Sequence, residues 1–159
     1  MNIERPAIPS FQPPVRTLLG PGPSDVPPRV LAALARPTVG HLDPTFIAMM
    51  DEVKTLLRYA FQTRNELTFP VSGPGSLGME TCFVNLVNPG DKVIVCVNGV
   101  FGQRMVENVR RLGGTAVIVE DAWGEPVDPA KVEAAFAANP DTQLFAFVHA
   151  ETSTGALSD

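Results

Sequence analysis

The segment Phe69-Pro70-Val71-Ser72-Gly73-Pro74-Gly75-Ser76-Leu77-Gly78-Met79-Glu80 carries the residue types and spacing best suited to chemistry. A short β-like run breaks into glycines and opens directly into a helical pattern. Glycines let the backbone approach a ligand closely, and a helix start aims unpaired N–H groups at an anion. The segment therefore predicts a phosphate seat at a helix N-terminus. Gly73, Gly75 and Gly78 also spell G-x-G-x-x-G, the spacing of a dinucleotide-binding loop. That reading requires a carboxylate about 20 residues on, at the end of the second strand, to hold a ribose. Here the strand ends Cys96-Val97-Asn98-Gly99 without one, and Pro74 removes a backbone N–H from the loop. The bland alternative is that the glycines only shape a tight turn.

Two other loops are chemically unusual. Asn98-Gly99-Val100-Phe101-Gly102-Gln103-Arg104 places an aromatic residue between glycines just past a strand end. A planar ring there could stack on a planar ligand, and its competing role is that of a core residue at a helix start. Glu151-Thr152-Ser153-Thr154-Gly155 supplies hydroxyls in a row, alone no more than a polar turn. His41 and His149 are the only histidines, so no metal-ligand cluster is legible and no metal is expected. Cys82 and Cys96 sit in apolar surroundings and are expected to be buried, reduced thiols, in keeping with a cytoplasmic location.

The elements that would position these loops alternate. Strand-like runs fall at 67–71, 92–97, 115–120 and 143–149, with helical patterns at 76–87, 101–112 and 129–138. Asn88-Pro89-Gly90-Asp91, Gly113-Gly114 and Asn139-Pro140-Asp141 punctuate the joins. Upstream, Pro27-Pro28 opens a short helix through Val30, Leu31 and Leu34. Asp43-Pro44 starts an amphipathic one to about residue 59, with Phe46, Met50, Val53 and Leu57 at helical spacing. Val93-Ile94-Val95-Cys96-Val97 is apolar throughout, as in a strand covered by helices on both faces. The chain is thus expected to be α/β: a mostly parallel sheet with helices on both faces and right-handed crossovers at 24–159, after an extended proline-rich arm at 1–23. Such sheets bind ligands at the carboxyl ends of their strands, where the loops 72–76, 98–101 and 150–155 all lie. The formal charge of −5 and pI near 5.0 argue against nucleic acid. No apolar run approaches the roughly 20 residues that cross a bilayer, and the N-terminus has no secretory-signal core.

Taken together, Leu18-Leu19-Gly20-Pro21-Gly22-Pro23-Ser24, Phe61-Gln62-Thr63-Arg64-Asn65, Asn88-Pro89-Gly90-Asp91, the block 98–104 and His149-Ala150-Glu151-Thr152-Ser153-Thr154-Gly155 resemble the alanine/serine–glyoxylate aminotransferases. These are class V aminotransferases of fold type I. Phosphoserine aminotransferases and cysteine desulfurases share the sheet, but the blocks 18–24 and 98–104 favour the glyoxylate group. The resemblance implies a pyridoxal 5′-phosphate enzyme that moves an amino group from alanine or serine to glyoxylate, usually as a homodimer. Its substrates would be small amino and 2-oxo acids. By the family motif, Pro74, Gly75 and Ser76 would seat the cofactor phosphate, Pro74 standing where relatives often carry a hydroxyl. Phe101 would stack on the pyridine ring and Thr152 would approach the phenolic oxygen. Gly20-Pro21-Gly22-Pro23 would line the substrate entrance, with the arm over the partner subunit. Gly40-His41 matches a segment near that entrance, His41 otherwise being a local hydrogen-bonding residue.

In the family, the Schiff-base lysine, its paired acid and the substrate arginine lie beyond the position of Asp159. Lys54, Lys92 and Lys131 read as solvated surface charges. The resemblance therefore assigns no catalytic residue to this chain and implies an N-terminal fragment of a longer enzyme, inactive alone, with an open sheet edge. Two other readings stay open at this point: a nicotinamide-dinucleotide-binding module, and a non-catalytic remnant or assembly fragment.

Overall fold

Strand β1 (Lys92–Val97) organises the sheet. It is flanked by β2 (Thr115–Glu120) and β3 (Thr142–Ala146) in the order β2-β1-β3, and both pairings are parallel. The structure, a computed structural model, describes residues 7–159. These fall into two units, one up to Arg36 and one from Pro37 onward.

In the first unit residues 7–27 form neither helix nor strand, and α1 (Pro28–Leu34) begins on its proline as read from the sequence. The arm boundary expected at residue 23 lies inside this unit, and residues 1–6 of that arm lie outside the described residues. The Gly20–Pro23 segment is an exposed run of bends here.

The second unit begins with α2 (Pro44–Ala60), capped by Asp43, whose carboxylate accepts from the Thr45 N–H at 2.8 Å. The expected helix forms, yet no residue of it is buried, and Leu56 and Tyr59 are largely exposed. Next come α3 (Gly75–Leu86), β1, α4 (Val100–Arg111), β2, α5 (Pro129–Ala138) and β3. A short antiparallel pair, β4 (Ala150–Glu151) with β5 (Ala156–Leu157), closes the chain. Asp128 caps α5 by accepting from the Ala130 N–H at 2.8 Å, with Pro129 in the first turn.

The unbroken apolar character of β1 has a direct structural cause. Successive side chains of a strand point to opposite faces. Val93, Val95 and Val97 pack under α3 and α4 with Phe83, Met105, Val106 and Val109. Ile94 and Cys96 face the other way, toward Val119, Val132, Ala135 and Phe145 on the α5 side. Two cores share one strand, so none of the positions 93–97 is polar.

The run 67–71 forms no strand, contrary to expectation. Leu67 and Phe69 are more than half exposed, and Pro70 cannot donate to a ladder. A strand exists only through its partner, and among the described residues none pairs with this segment, while the outer edges of β2 and β3 are unpaired. The run 143–149 is also shorter than expected, since β3 ends at Ala146.

Both cysteines are free, as expected, but only Cys96 is buried. Cys82 lies on α3 beside Phe83, which turns into the core, so its thiol turns outward. Burial, reinforced by the Asp121 charge, pushes the Cys96 thiol up to about 11 from its ordinary 9.0. A folded-state value above the unfolded one adds stability that is complete below pH 9 and lost as pH rises toward 11. Native-state alkylation in mildly alkaline buffer should therefore label Cys82 and spare Cys96 until the protein is denatured. The alkaline loss of unfolding free energy should be smaller in Cys96→Ala than in the parent. Equal labelling of both thiols in the native state would contradict the buried placement of Cys96.

Candidate functional site

Strand order turns back at β1: β2 adds on one side of it and β3 on the other. Loops leaving the carboxyl ends of such neighbouring strands open a crevice. Residues 98–101 leave β1, and the stretch from Phe147 to Gly155 leaves β3. Phe101 and Thr152 meet there, lining one depression of about 360 Å³ together with Met79, Met105 and His149. The His149 ring is fixed by a 2.6 Å hydrogen bond from Nδ1 to the Ser158 carbonyl; because a carbonyl only accepts, Nδ1 carries the proton.

Pro74 and Gly75 line a different depression, of about 410 Å³, with Phe61, Phe69 and Val71 among its walls. Pro74 is the N-cap of α3 and contributes no side-chain cap. The Leu77 N–H donates to the Pro74 carbonyl at 2.9 Å, while the N–H groups of Gly75 and Ser76 find no partner among the described residues. Space above Gly75 is open, for a Cβ built there would meet nothing within 4 Å.

Arg104 links Ser76, next to Gly75 in the chain, to Phe101. Its guanidinium donates to the Ser76 hydroxyl oxygen, and its central carbon lies 5.1 Å from the centroid of the Phe101 ring. Of the five residues expected from sequence, the structure thus groups Phe101 with Thr152 and Pro74 with Gly75, and Ser76 reaches the first pair through Arg104.

The start of α4 is organised quite differently from that of α3. Its N-cap, Gly99, has no side chain to offer. The cap comes instead from the loop after β3. Glu151 is fully buried, and its Oε2 accepts from the N–H groups of Phe101 and Gly102 at 3.0 and 3.2 Å. Ser153 Oγ accepts from the Val100 N–H at 3.0 Å, and Glu151 Oε1 accepts from both the N–H and the hydroxyl of Ser153. Thr154 donates to the Asn98 carbonyl at 3.2 Å. Every free donor of the first α4 turn is thereby used, and a carboxylate already stands at its positive end. An incoming anion finds α4 closed and α3 open. The sequence reading missed this role of Glu151; the available signal was a glycine at a helix start, which obliges the cap to come from elsewhere.

The three lysines stand away from both depressions. Lys92 pairs with Asp141 at 2.6 Å at the amino end of β1, and Lys54 pairs with Asp51 at 3.3 Å. Lys131 is exposed as expected, and its ammonium donates to buried Asp121 at 2.6 Å and to the Glu120 carbonyl at 2.9 Å. That hydrogen bond to Asp121 holds the Lys131 ammonium above the usual lysine range.

The donor set suits a phosphorylated planar cofactor. Two backbone N–H groups, a hydroxyl and a nearby guanidinium match a phosphate, a half-buried aromatic ring matches a flat ring, and Thr152 can donate to a ring oxygen. A dinucleotide loop would need a strand leading into its glycines, and the residues ahead of Gly73 form none.

No protein-family model matches the chain. It is 44% identical to an alanine–glyoxylate aminotransferase of Oryctolagus cuniculus over 144 residues, covering 91% of this chain and 36% of that protein. Among solved structures, an alanine–glyoxylate aminotransferase from Nostoc sp. superposes with a TM-score of 0.91 at 44% identity, over 96% of this chain and 40% of that one. A ureidoglycine–glyoxylate aminotransferase from Bacillus subtilis gives a TM-score of 0.86 at 35% identity, over 91% of this chain and 37% of that one. The sheet, the crevice and these similarities define the fold as that of the fold type I aminotransferases, a class that generally uses pyridoxal 5′-phosphate. Within it the chain is similar to the N-terminal portion of the alanine–glyoxylate aminotransferases. It spans between a third and two fifths of the length of these relatives.

Proposed function

We propose that this chain is the cofactor-seating portion of an enzyme that moves an amino group from alanine or serine to glyoxylate. The observation that carries this reading is the Ser76–Arg104–Phe101 chain of contacts at the open start of α3, within a fold 44% identical to an alanine–glyoxylate aminotransferase. Bound at this site, pyridoxal 5′-phosphate would supply the electron sink that amino transfer requires. The chain's own residues bind and orient. Gly75, Ser76 and the start of α3 hold the phosphate. Phe101 supports one face of the ring, and Thr152 donates toward its phenolic oxygen. The buried Glu151 fixes the turn from which Phe101 projects.

None of Lys54, Lys92 and Lys131 is placed to move a proton at this site. The reactive lysine, its paired acid and the substrate arginine are assigned to the part of the longer enzyme outside this chain, and the active form to a homodimer. The natural full-length protein, purified with pyridoxal 5′-phosphate, should convert alanine plus glyoxylate to pyruvate plus glycine. Serine in place of alanine tests the second donor. Absence of glycine with either donor and a fully loaded enzyme would sink the glyoxylate reading, and failure to take up the cofactor would sink the class of chemistry as well.

A further inference from the structure

Arg104 is exposed, and among the described residues it pairs with no carboxylate. A surface arginine of that kind is ordinarily a solvated charge. This one differs because it uses two surfaces at once, on two different helices. One edge of its guanidinium donates to the Ser76 hydroxyl on α3, and the group lies 5.1 Å from the centre of the Phe101 ring on α4. Phe101 and Arg104 stand three residues apart, on one helix face.

We propose that Arg104 is a positioning residue that couples the phosphate seat to the ring platform; the proposal deepens, and rests on, the reading of this site as one for pyridoxal 5′-phosphate. Two consequences follow from the donor chemistry. A serine hydroxyl has one proton to give and two lone pairs to receive with. With Arg104 filling a lone pair, the Ser76 proton stays available for an oxygen of the phosphate. The guanidinium, always protonated, also adds a full positive charge beside the partial one of the α3 start, and its remaining donors are free of protein partners. Lysine could supply the charge but not the planar group that donates on its edge and stacks by its face.

The test is a double-mutant cycle read as cofactor affinity, using apoenzyme of the natural full-length protein titrated with pyridoxal 5′-phosphate. Arg104→Ala should weaken binding by about tenfold or more, the size of effect that one charge-assisted hydrogen bond gives. Arg104→Gln should do the same, and Arg104→Lys should recover only part. Melting temperature of the apo forms should fall only slightly, since Arg104 is exposed and among the described residues forms no ion pair. Arg104→Ala made in Ser76→Ala should cost clearly less than Arg104→Ala costs in the parent, because part of the arginine's effect passes through that hydroxyl. Parent-like affinity in both Arg104→Ala and Arg104→Gln would overturn the proposal while leaving the site reading intact. So would effects of Arg104 and Ser76 that multiply independently. A parent protein that does not bind the cofactor would instead overturn the site reading beneath it.

Discussion

Replacing Glu151 with alanine should destabilise the protein by about 1 to 3 kcal/mol, the range for leaving buried donors without their acceptor. The side chain is shut off from solvent and accepts from Phe101, Gly102 and Ser153. Its loss strands donors at the first turn of α4, where Gly99 supplies no substitute. Glutamine keeps the volume but turns one acceptor into a donor. Whichever way its amide lies, an NH2 group then faces an N–H or the Ser153 hydroxyl, so Glu151→Gln should recover only part of the loss. Urea unfolding of parent and variants measures both. A loss under about 1 kcal/mol for alanine would show that solvent replaces the cap, and that this carboxylate does not organise the turn.

The same substitution separates stability from function. Phe101 projects from the first turn of α4, so a frayed turn misplaces its ring while leaving the α3 start untouched. In the proposed enzyme, Glu151→Gln should therefore weaken the grip on the cofactor ring more than the grip on phosphate. Inorganic phosphate should protect the variant against cofactor binding as well as it protects the parent.

Much of this architecture was legible in the residues because local chemistry decided it. Asp43-Pro44 and Asp128-Pro129 start helices by caps that involve only their own neighbours. The apolar run of β1 announced a strand buried on both faces, and two cores do meet on it. Where tertiary partners decide, the residues were silent or misleading. The run 67–71 has the composition of a strand, yet among the described residues it pairs with no other. Cys82 has apolar neighbours in sequence, yet its place on α3 faces outward. Glu151 looked like part of a polar turn, since only the folded chain brings it to a helix start 50 residues away. Arg104 was visible within a family block, but its bond to Ser76 spans 28 residues and has no local signature.

Two glycines near the site should give opposite phenotypes on becoming alanine, and this contrast is the second large effect. A Cβ on Gly102 would stand 2.7 Å from the Cys96 carbonyl oxygen and 2.9 Å from the Val97 Cα. Both are backbone atoms of the central strand, which is held on either side by β2 and β3 and cannot yield. Helix α4 would have to lift away from the sheet, pulling Phe101 and Gly102 off Glu151. Gly102→Ala should therefore cost about 3 kcal/mol or more, the upper end for overpacking. A Cβ on Gly75 meets nothing within 4 Å, so Gly75→Ala should leave stability within about 0.5 kcal/mol. Yet the open space above Gly75 is where an anion must approach the unpartnered N–H groups, and a methyl group there stands in its path. Cofactor affinity should fall in Gly75→Ala at parental stability, whereas in Gly102→Ala it should fall only as the fold is lost. Thermal melts and cofactor titration of the two variants side by side read both quantities. Full affinity in Gly75→Ala would move the phosphate away from α3, and parental stability in Gly102→Ala would mean that α4 sits farther from β1 than the close contact requires.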